Sequence, residues 1–198
     1  MRAIEAATLC CLAAAAIRPA AAADRPQFPP TRDVRVTYHL TAKADGAPDT
    51  VTLVYSAALR KLRADGGPGA AIVDLDQKSM VWMMQREHLA MRVPVGREID
   101  RVLSMGGDGT VVRAGSDRVA GYACTVWKFT GKDGGGTGCI TDDGVPLRGQ
   151  GSDAKGHGGF EAVKVEYRPQ PPALFEVPPG FKQMELPGGM GHSPRPAQ

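Results

Sequence analysis

Cys124-Thr125-Val126-Trp127-Lys128-Phe129-Thr130-Gly131-Lys132-Asp133-Gly134-Gly135-Gly136-Thr137-Gly138-Cys139 reads as two strands folded back on each other about a glycine-rich loop, Gly131 to Gly136. The flanking runs, Tyr122 to Phe129 and Thr137 to Thr141, are rich in β-branched and aromatic residues, which suit a pleated, half-buried surface. Cys124 and Cys139 lie at equal sequence distances from the centre of this hairpin, which sets them opposite one another. A disulfide there closes a loop of about 15 residues and contributes ~3 kcal/mol in the chain-entropy model. The rival reading, a redox-active dithiol, lacks the usual Cys-x-x-Cys at a helix start.

The same pattern extends in both directions. Asp-Gly pairs, which favour tight turns with positive φ, stand at Asp45-Gly46, Asp65-Gly66, Asp108-Gly109, Asp133-Gly134 and Asp143-Gly144. Val34, Val36, Tyr38 and Leu40 alternate with Arg35, Thr37, His39 and Thr41, the period of two of a half-buried strand, and Val51, Leu53 and Tyr55 repeat it. Further strands are expected at Ala70 to Asp74, Met80 to Gln85, Leu89 to Val93, Thr110 to Arg113, Pro146 to Gly149 and Phe160 to Tyr167. About ten short strands joined by short turns describe a mainly β chain: a curved antiparallel sheet, or half-open β-barrel. One segment departs from this. Val95 to Met105 carries Ile99, Val102 and Leu103 at helical spacing and ends at Gly106-Gly107, so one helix is expected, either plugging the concave face of the sheet or packed on an outer edge.

Composition agrees. With 25 glycines, 16 prolines and 6% aromatics in 198 residues, a long helical bundle is excluded. Residues 1–23 read as a secretory signal peptide: an apolar stretch from Ala6 to Ile17, then small residues up to Ala23. That core is shorter than the ~20 residues needed to span a bilayer. The expected organisation is a signal peptide (1–23), a single domain (24–186) and a Pro- and Gly-rich disordered tail (187–198), with a periplasmic location for the mature chain. Export leaves Cys124 and Cys139 in an oxidising compartment, where they pair.

Charge narrows the partners. The chain has 24 basic and 21 acidic residues with the signs interspersed, whereas nucleic-acid binding wants a concentrated basic stripe. The densest basic cluster, Arg60, Lys61 and Arg63, is expected to be split between the two sides of a strand; a peripheral contact with the envelope surface is the alternative reading.

No catalytic signature emerges, so the chain is expected not to be an enzyme and to need no cofactor. Gly-x-Ser-x-Gly is absent. Ser152, Asp153 and His157 lie among Gly151, Gly156, Gly158 and Gly159 and read as a flexible loop, unsuited to catalytic geometry. His39 and His88 fall on polar sides of strands and His192 in the tail, giving no metal triad. Asp142 and Asp143 point to opposite faces. In Met80-Val81-Trp82-Met83-Met84, Met80, Trp82 and Met84 face one way and Val81 and Met83 the other. The cluster reads first as core, second as an adaptable apolar pocket wall, and third as a copper ligand set.

Two segments carry a resemblance. Gly115 to Trp127, with its Val119-Ala120-Gly121-Tyr122, and Ala173-Leu174-Phe175-Glu176-Val177-Pro178-Pro179-Gly180-Phe181-Lys182 resemble an uncharacterised exported bacterial family related to the LolA-like and LppX-like outer-membrane lipoprotein carriers. With Thr141 to Leu147, these pieces cover roughly Val34 to Met184. The resemblance implies a half-barrel plugged by a helix; in the carriers the cavity holds acyl chains. The leading expectation is a non-enzymatic binding protein for an apolar ligand (a lipid, acyl chain or lipoprotein anchor), with Met80, Trp82 and Met84 facing Ile99, Val102 and Leu103 across the site. The alternatives are an envelope interaction module with a filled core and, third, an enzyme without a recognisable motif.

Overall fold

The computed structural model describes residues 25–41, 48–95, 109–132, 134–153 and 156–185. The expected signal segment 1–23, most of the expected Val95 to Met105 helix with Ile99, Val102 and Leu103, and the expected 187–198 tail lie outside the described residues.

Among the described residues twelve strands form one open sheet, two more than expected. They are β1 (Val34–Thr41), β2 (Thr50–Ser56), β3 (Lys61–Gly66), β4 (Gly69–Asp74), β5 (Ser79–Met84), β6 (Leu89–Pro94), β7 (Thr110–Val119), β8 (Tyr122–Gly131), β9 (Gly134–Ile140), β10 (Pro146–Asp153), β11 (Gly156–Tyr167) and β12 (Lys182–Glu185). Across the sheet the order is β12-β6-β5-β4-β3-β2-β1-β11-β10-β9-β8-β7. All neighbours are antiparallel except β12, which runs parallel to β6. The two additions to the count are β3, where Leu62 and Ala64 alternate with Lys61, Arg63 and Asp65, and the wholly exposed β12.

Most turns are made without Asp-Gly. Asp65-Gly66 lies inside β3, and the turn is Gly67-Pro68. The β2–β3, β4–β5 and β5–β6 hairpins close through four-residue loops whose last residues, Arg60, Lys78 and His88, take φ of 49°, 49° and 48°. Placing Arg60 in a turn corrects the expectation for the basic cluster: Lys61 and Arg63 share one face of β3. Each cation nevertheless has its own carboxylate, Arg60–Asp76 at 2.7 Å, Lys61–Asp74 at 3.3 Å and Arg63–Asp65 at 2.7 Å.

The disulfide Cys124–Cys139 is present, with Cα atoms 5.4 Å apart. Its register differs from expectation. Cys139 stands opposite Val126, so the bond crosses the β8–β9 ladder diagonally, because the hairpin closes at Gly131 and Gly134 and the following glycines belong to β9. The same correction applies to the expected flexible loop around Ser152 and His157: these residues are direct partners across the regular β10–β11 hairpin.

Arg148 of β10 pairs with Asp117 of β7 and lies 3.6 Å from Glu161 of β11. In a flat sheet β10 and β7 would stand about 14 Å apart, beyond the reach of these side chains, so the sheet rolls at this end.

Two apolar clusters hold the sheet. One joins Val34, Val36, Tyr38 and Tyr55 to Val119, the cystine, Val145, Leu147 and Ala162. In the other, Phe175, from the 3-10 helix Pro172–Phe175, packs with Val54, Ala70, Ile72, Val81, Met83 and Ala90. Arg63 Nη1 anchors this returning segment by donating to the Leu174 carbonyl at 3.0 Å. The N-terminal strap is tied to the turn after β9. The Thr31 amide donates to the Asp143 carbonyl, and Arg32 pairs with the Asp143 carboxylate, each at 2.9 Å. Gly144 takes φ +94° and passes so close to the strap that a Cβ there would lie 3.1 Å from the carbonyls of Gln27 and Pro29.

Candidate functional site

Strand alternation puts Val81 and Met83 on one face of β5 and Met80, Trp82 and Met84 on the other. The register carries each face across the sheet. Trp82 stands beside Ala71 and Met91, Ala71 beside Ala64, Ala64 beside Leu53, and Leu53 beside Val36. The two faces are covered differently. On the Val81 face, Val81 is 7% and Met83 0% exposed beneath Phe175 and the half-buried Leu174, Val177 and Phe181. On the Trp82 face, Met80 and Met84 are half-buried and Trp82 is 39% exposed. Neither apolar cluster of the sheet includes these three side chains.

Thus the methionine cluster divides: Met83 is core, while Met80, Trp82 and Met84 form an apolar surface. The three residues expected opposite them, Ile99, Val102 and Leu103, lie outside the described residues. Met83 and Met84 sit on opposite faces. Among the described residues no group of three or more His, Cys, Asp or Glu is placed to hold a metal.

The Trp82 face continues to the other end of the sheet, where its character changes. Leu40 stands beside Phe160, Phe160 beside Gly149, Gly149 beside Gly138 and Gly138 beside Trp127. One row further, Gly158, Gly151 and Gly136 are neighbours and end at Phe129. A Cβ on Gly149 would lie 2.6 Å from the Phe160 ring, and one on Gly138 3.1 Å from the Phe129 ring. Cavities of about 340, 790 and 520 Å³ follow one another along these glycines. Sequence reading missed this region because glycines speak for loops. The run Gly134-Gly135-Gly136 gave no sign of a strand, since local propensity assigns such a run to a turn.

The polar residues serve the scaffold. Asp143 Oδ1 accepts from Thr141 Oγ1 at 2.5 Å and from the Tyr167 hydroxyl at 3.1 Å. Burial acts to raise the Asp143 pKa, but the hydrogen bonds from Thr141, Arg32 and Tyr167 overcome it and leave the carboxyl below its ordinary value. The Arg32 guanidinium lies 3.9 Å from the centre of the Tyr167 ring. Asp117 is also depressed, by the Arg118 amide first and then by Arg148. His39 and His157 are exposed, and His88 faces the Phe181 ring at 5.5 Å.

A family model described as "Domain of unknown function (DUF4412)" matches residues 63–144, from β3 to the turn after β9. No curated protein matches the chain in sequence. Among solved structures, the crystal structure of MucB is similar at a TM-score of 0.50 with 15% identity, over 75% of this chain and 58% of that one. A structure of PNGF-II is similar at 0.53 with 10% identity, over 78% of this chain and 32% of that one. The MucA/MucB complex of Pseudomonas aeruginosa gives 0.49 with 17% identity, over 72% of this chain and 54% of that one. The chain thus spans little more than half of MucB and a third of PNGF-II, and at these identities the likeness is one of fold.

Proposed function

We infer that this chain is an exported, non-enzymatic binding module that holds an apolar ligand, such as an acyl chain or the lipid anchor of a lipoprotein, against the Trp82 face of its sheet. One observation carries the reading: the C-terminal segment buries Val81 and Met83, whereas Met80, Trp82 and Met84 on the same strand stay partly open. Methionine and tryptophan suit such a surface, since thioethers repack around varied ligands and an indole offers a large apolar area. Burying an acyl chain is worth ~0.8 kcal/mol per CH₂, ample for capture. The cystine supports export, because disulfides persist in oxidising compartments. The resemblance of the Val119 to Trp127 and Ala173 to Lys182 segments to the lipoprotein-carrier relatives points to the same ligand class.

Native mass spectrometry of protein purified from its envelope should show co-purifying lipid, and the delipidated chain should take up a fluorescent fatty acid. A clean apo mass with no uptake would sink the reading. In that event a protein-interaction module takes its place, for which the exposed Val112 on edge strand β7 and Met184 on edge strand β12, 47% and 44% exposed, are the supporting observation.

A further inference from the structure

On the Val81 face, two rows of side chains cross the β3–β6 end of the sheet. Lys61, Asp74 and Ser79 form one, and Arg63, Ile72, Val81 and Arg92 the next. Phe175 packs on Ile72 and Val81 of the second row. The first row instead lines a cavity of about 290 Å³, floored by Ile72 and Val81 and covered by Phe175, Glu176 and Val177. Gln77 from the β4–β5 turn and Gln183 from β12 complete its lining. At about 30 Å³ per water, this space holds a ligand of roughly ten non-hydrogen atoms.

The charged groups of the lining fall into two kinds. Asp74, 9% exposed, is fully engaged: Oδ1 accepts from the Asp76 and Gln77 amides at 3.1 and 2.8 Å, and Oδ2 faces Lys61 Nζ at 3.3 Å. Arg92 differs from Lys61. Among the described residues it meets no carboxylate, and its partner is the neutral Ser79 hydroxyl, to which Nη1 donates at 3.3 Å. Across the cavity, the Glu176 amide closes the 3-10 helix on the Ala173 carbonyl, and its side chain is exposed and forms no ion pair among the described residues. One guanidinium and one carboxylate therefore border an apolar floor without engaging each other.

A small zwitterion with an apolar body answers each of these features. A carboxylate suits the planar fork of Arg92, which can donate two parallel hydrogen bonds to it. An ammonium group suits Glu176. A phosphate dianion would be opposed by Glu176 and Asp74, and a long acyl chain exceeds the volume and would leave the polar rim without partners. We propose that this cavity binds one free apolar α-amino acid of about the size of leucine, its carboxylate on Arg92, its ammonium on Glu176 and its side chain on Ile72, Val81 and Phe175. The site lies on the face opposite Trp82 and is independent of the apolar-ligand reading.

The test titrates the full mature chain with L-leucine by calorimetry, beside leucinamide, which lacks the carboxylate, and isocaproate, which lacks the ammonium. Leucine should bind with a Kd of about 1 mM or tighter, and each analogue at least about tenfold more weakly. Arg92→Gln should weaken leucine binding about tenfold or more and erase the preference over leucinamide. Glu176→Gln should erase the preference over isocaproate. A structural role alone would not move these two preferences separately. Glu176 is exposed, so its variant should keep the parent melting temperature. If Arg92→Gln does not fold, Arg92→Lys, which keeps the charge and loses the fork, takes its place and should weaken leucine binding about fivefold. No leucine binding by the parent up to about 10 mM, equal affinity for either analogue, or an unchanged preference in either folded variant would overturn the proposal.

Discussion

The Tyr38 hydroxyl donates a 2.7 Å hydrogen bond to the Pro146 carbonyl, tying β1 to β10 over the intervening β11. Burial, followed by the nearby Tyr167, holds the Tyr38 phenol above its ordinary pKa. The neutral, donating form is therefore favoured in the fold, and its stabilisation should persist from acid to about pH 10 and fall away above it. Tyr38→Phe leaves the carbonyl without this partner and should cost about 1–3 kcal/mol in urea unfolding at neutral pH.

Met83 and Trp82 are chain neighbours with opposite duties, and substitution should separate them. Met83→Ala opens a cavity beneath Phe175 and should cost about 2–5 kcal/mol. Trp82→Ala should cost about 1 kcal/mol or less, yet reduce fatty-acid uptake about fivefold or more. Equal stability losses with unchanged uptake would contradict this division.

Ala120 and Gly121 close the β7–β8 hairpin with φ of 48° and 83°. Positive φ at both central residues suits Asn-Gly far better than Ala-Gly. Ala120→Asn should therefore raise stability by about 0.5–1 kcal/mol, read as a higher urea midpoint at unchanged slope.

Asp143 carries a pH signature. Its pKa is depressed in the fold, so its contribution is present above the ordinary carboxylate range near 4 and is lost as pH falls through the lower folded value. Asp143→Asn should be less stable than the parent at pH 7, and the gap should shrink progressively below about pH 4. Urea midpoints across pH 2–7 measure it, and a gap independent of pH would count against this role.

Much of the sheet was legible. Val34, Val36 and Tyr38 alternate because one face of β1 is buried, and the opposed sides of Met80-Val81-Trp82-Met83-Met84 followed from the same period. The cystine was legible from compartment and hairpin, though its diagonal register was not, since the turn depends on where glycines stop being loop and start being strand. Gly134 to Gly138 and Gly156 to Gly159 form strands because neighbouring backbones and the rings of Phe129 and Phe160 supply what the glycines lack, a tertiary effect that local propensity cannot register. Lys182 to Glu185 shows no alternation because both its faces are exposed; it is a strand only by its pairing with β6.

Arg63 and Leu174 are joined across 111 positions of sequence. Synthesis delivers the chain from its N-terminus, so β2 to β6 emerge about a hundred residues before Phe175, and until then Val54, Ile72, Val81 and Met83 lack the cover it gives them. The returning segment thus acts as a completion signal: a chain cut before Pro172 would present two sticky faces instead of one, and would be marked for aggregation or proteolysis by the very residues that stabilise the finished molecule.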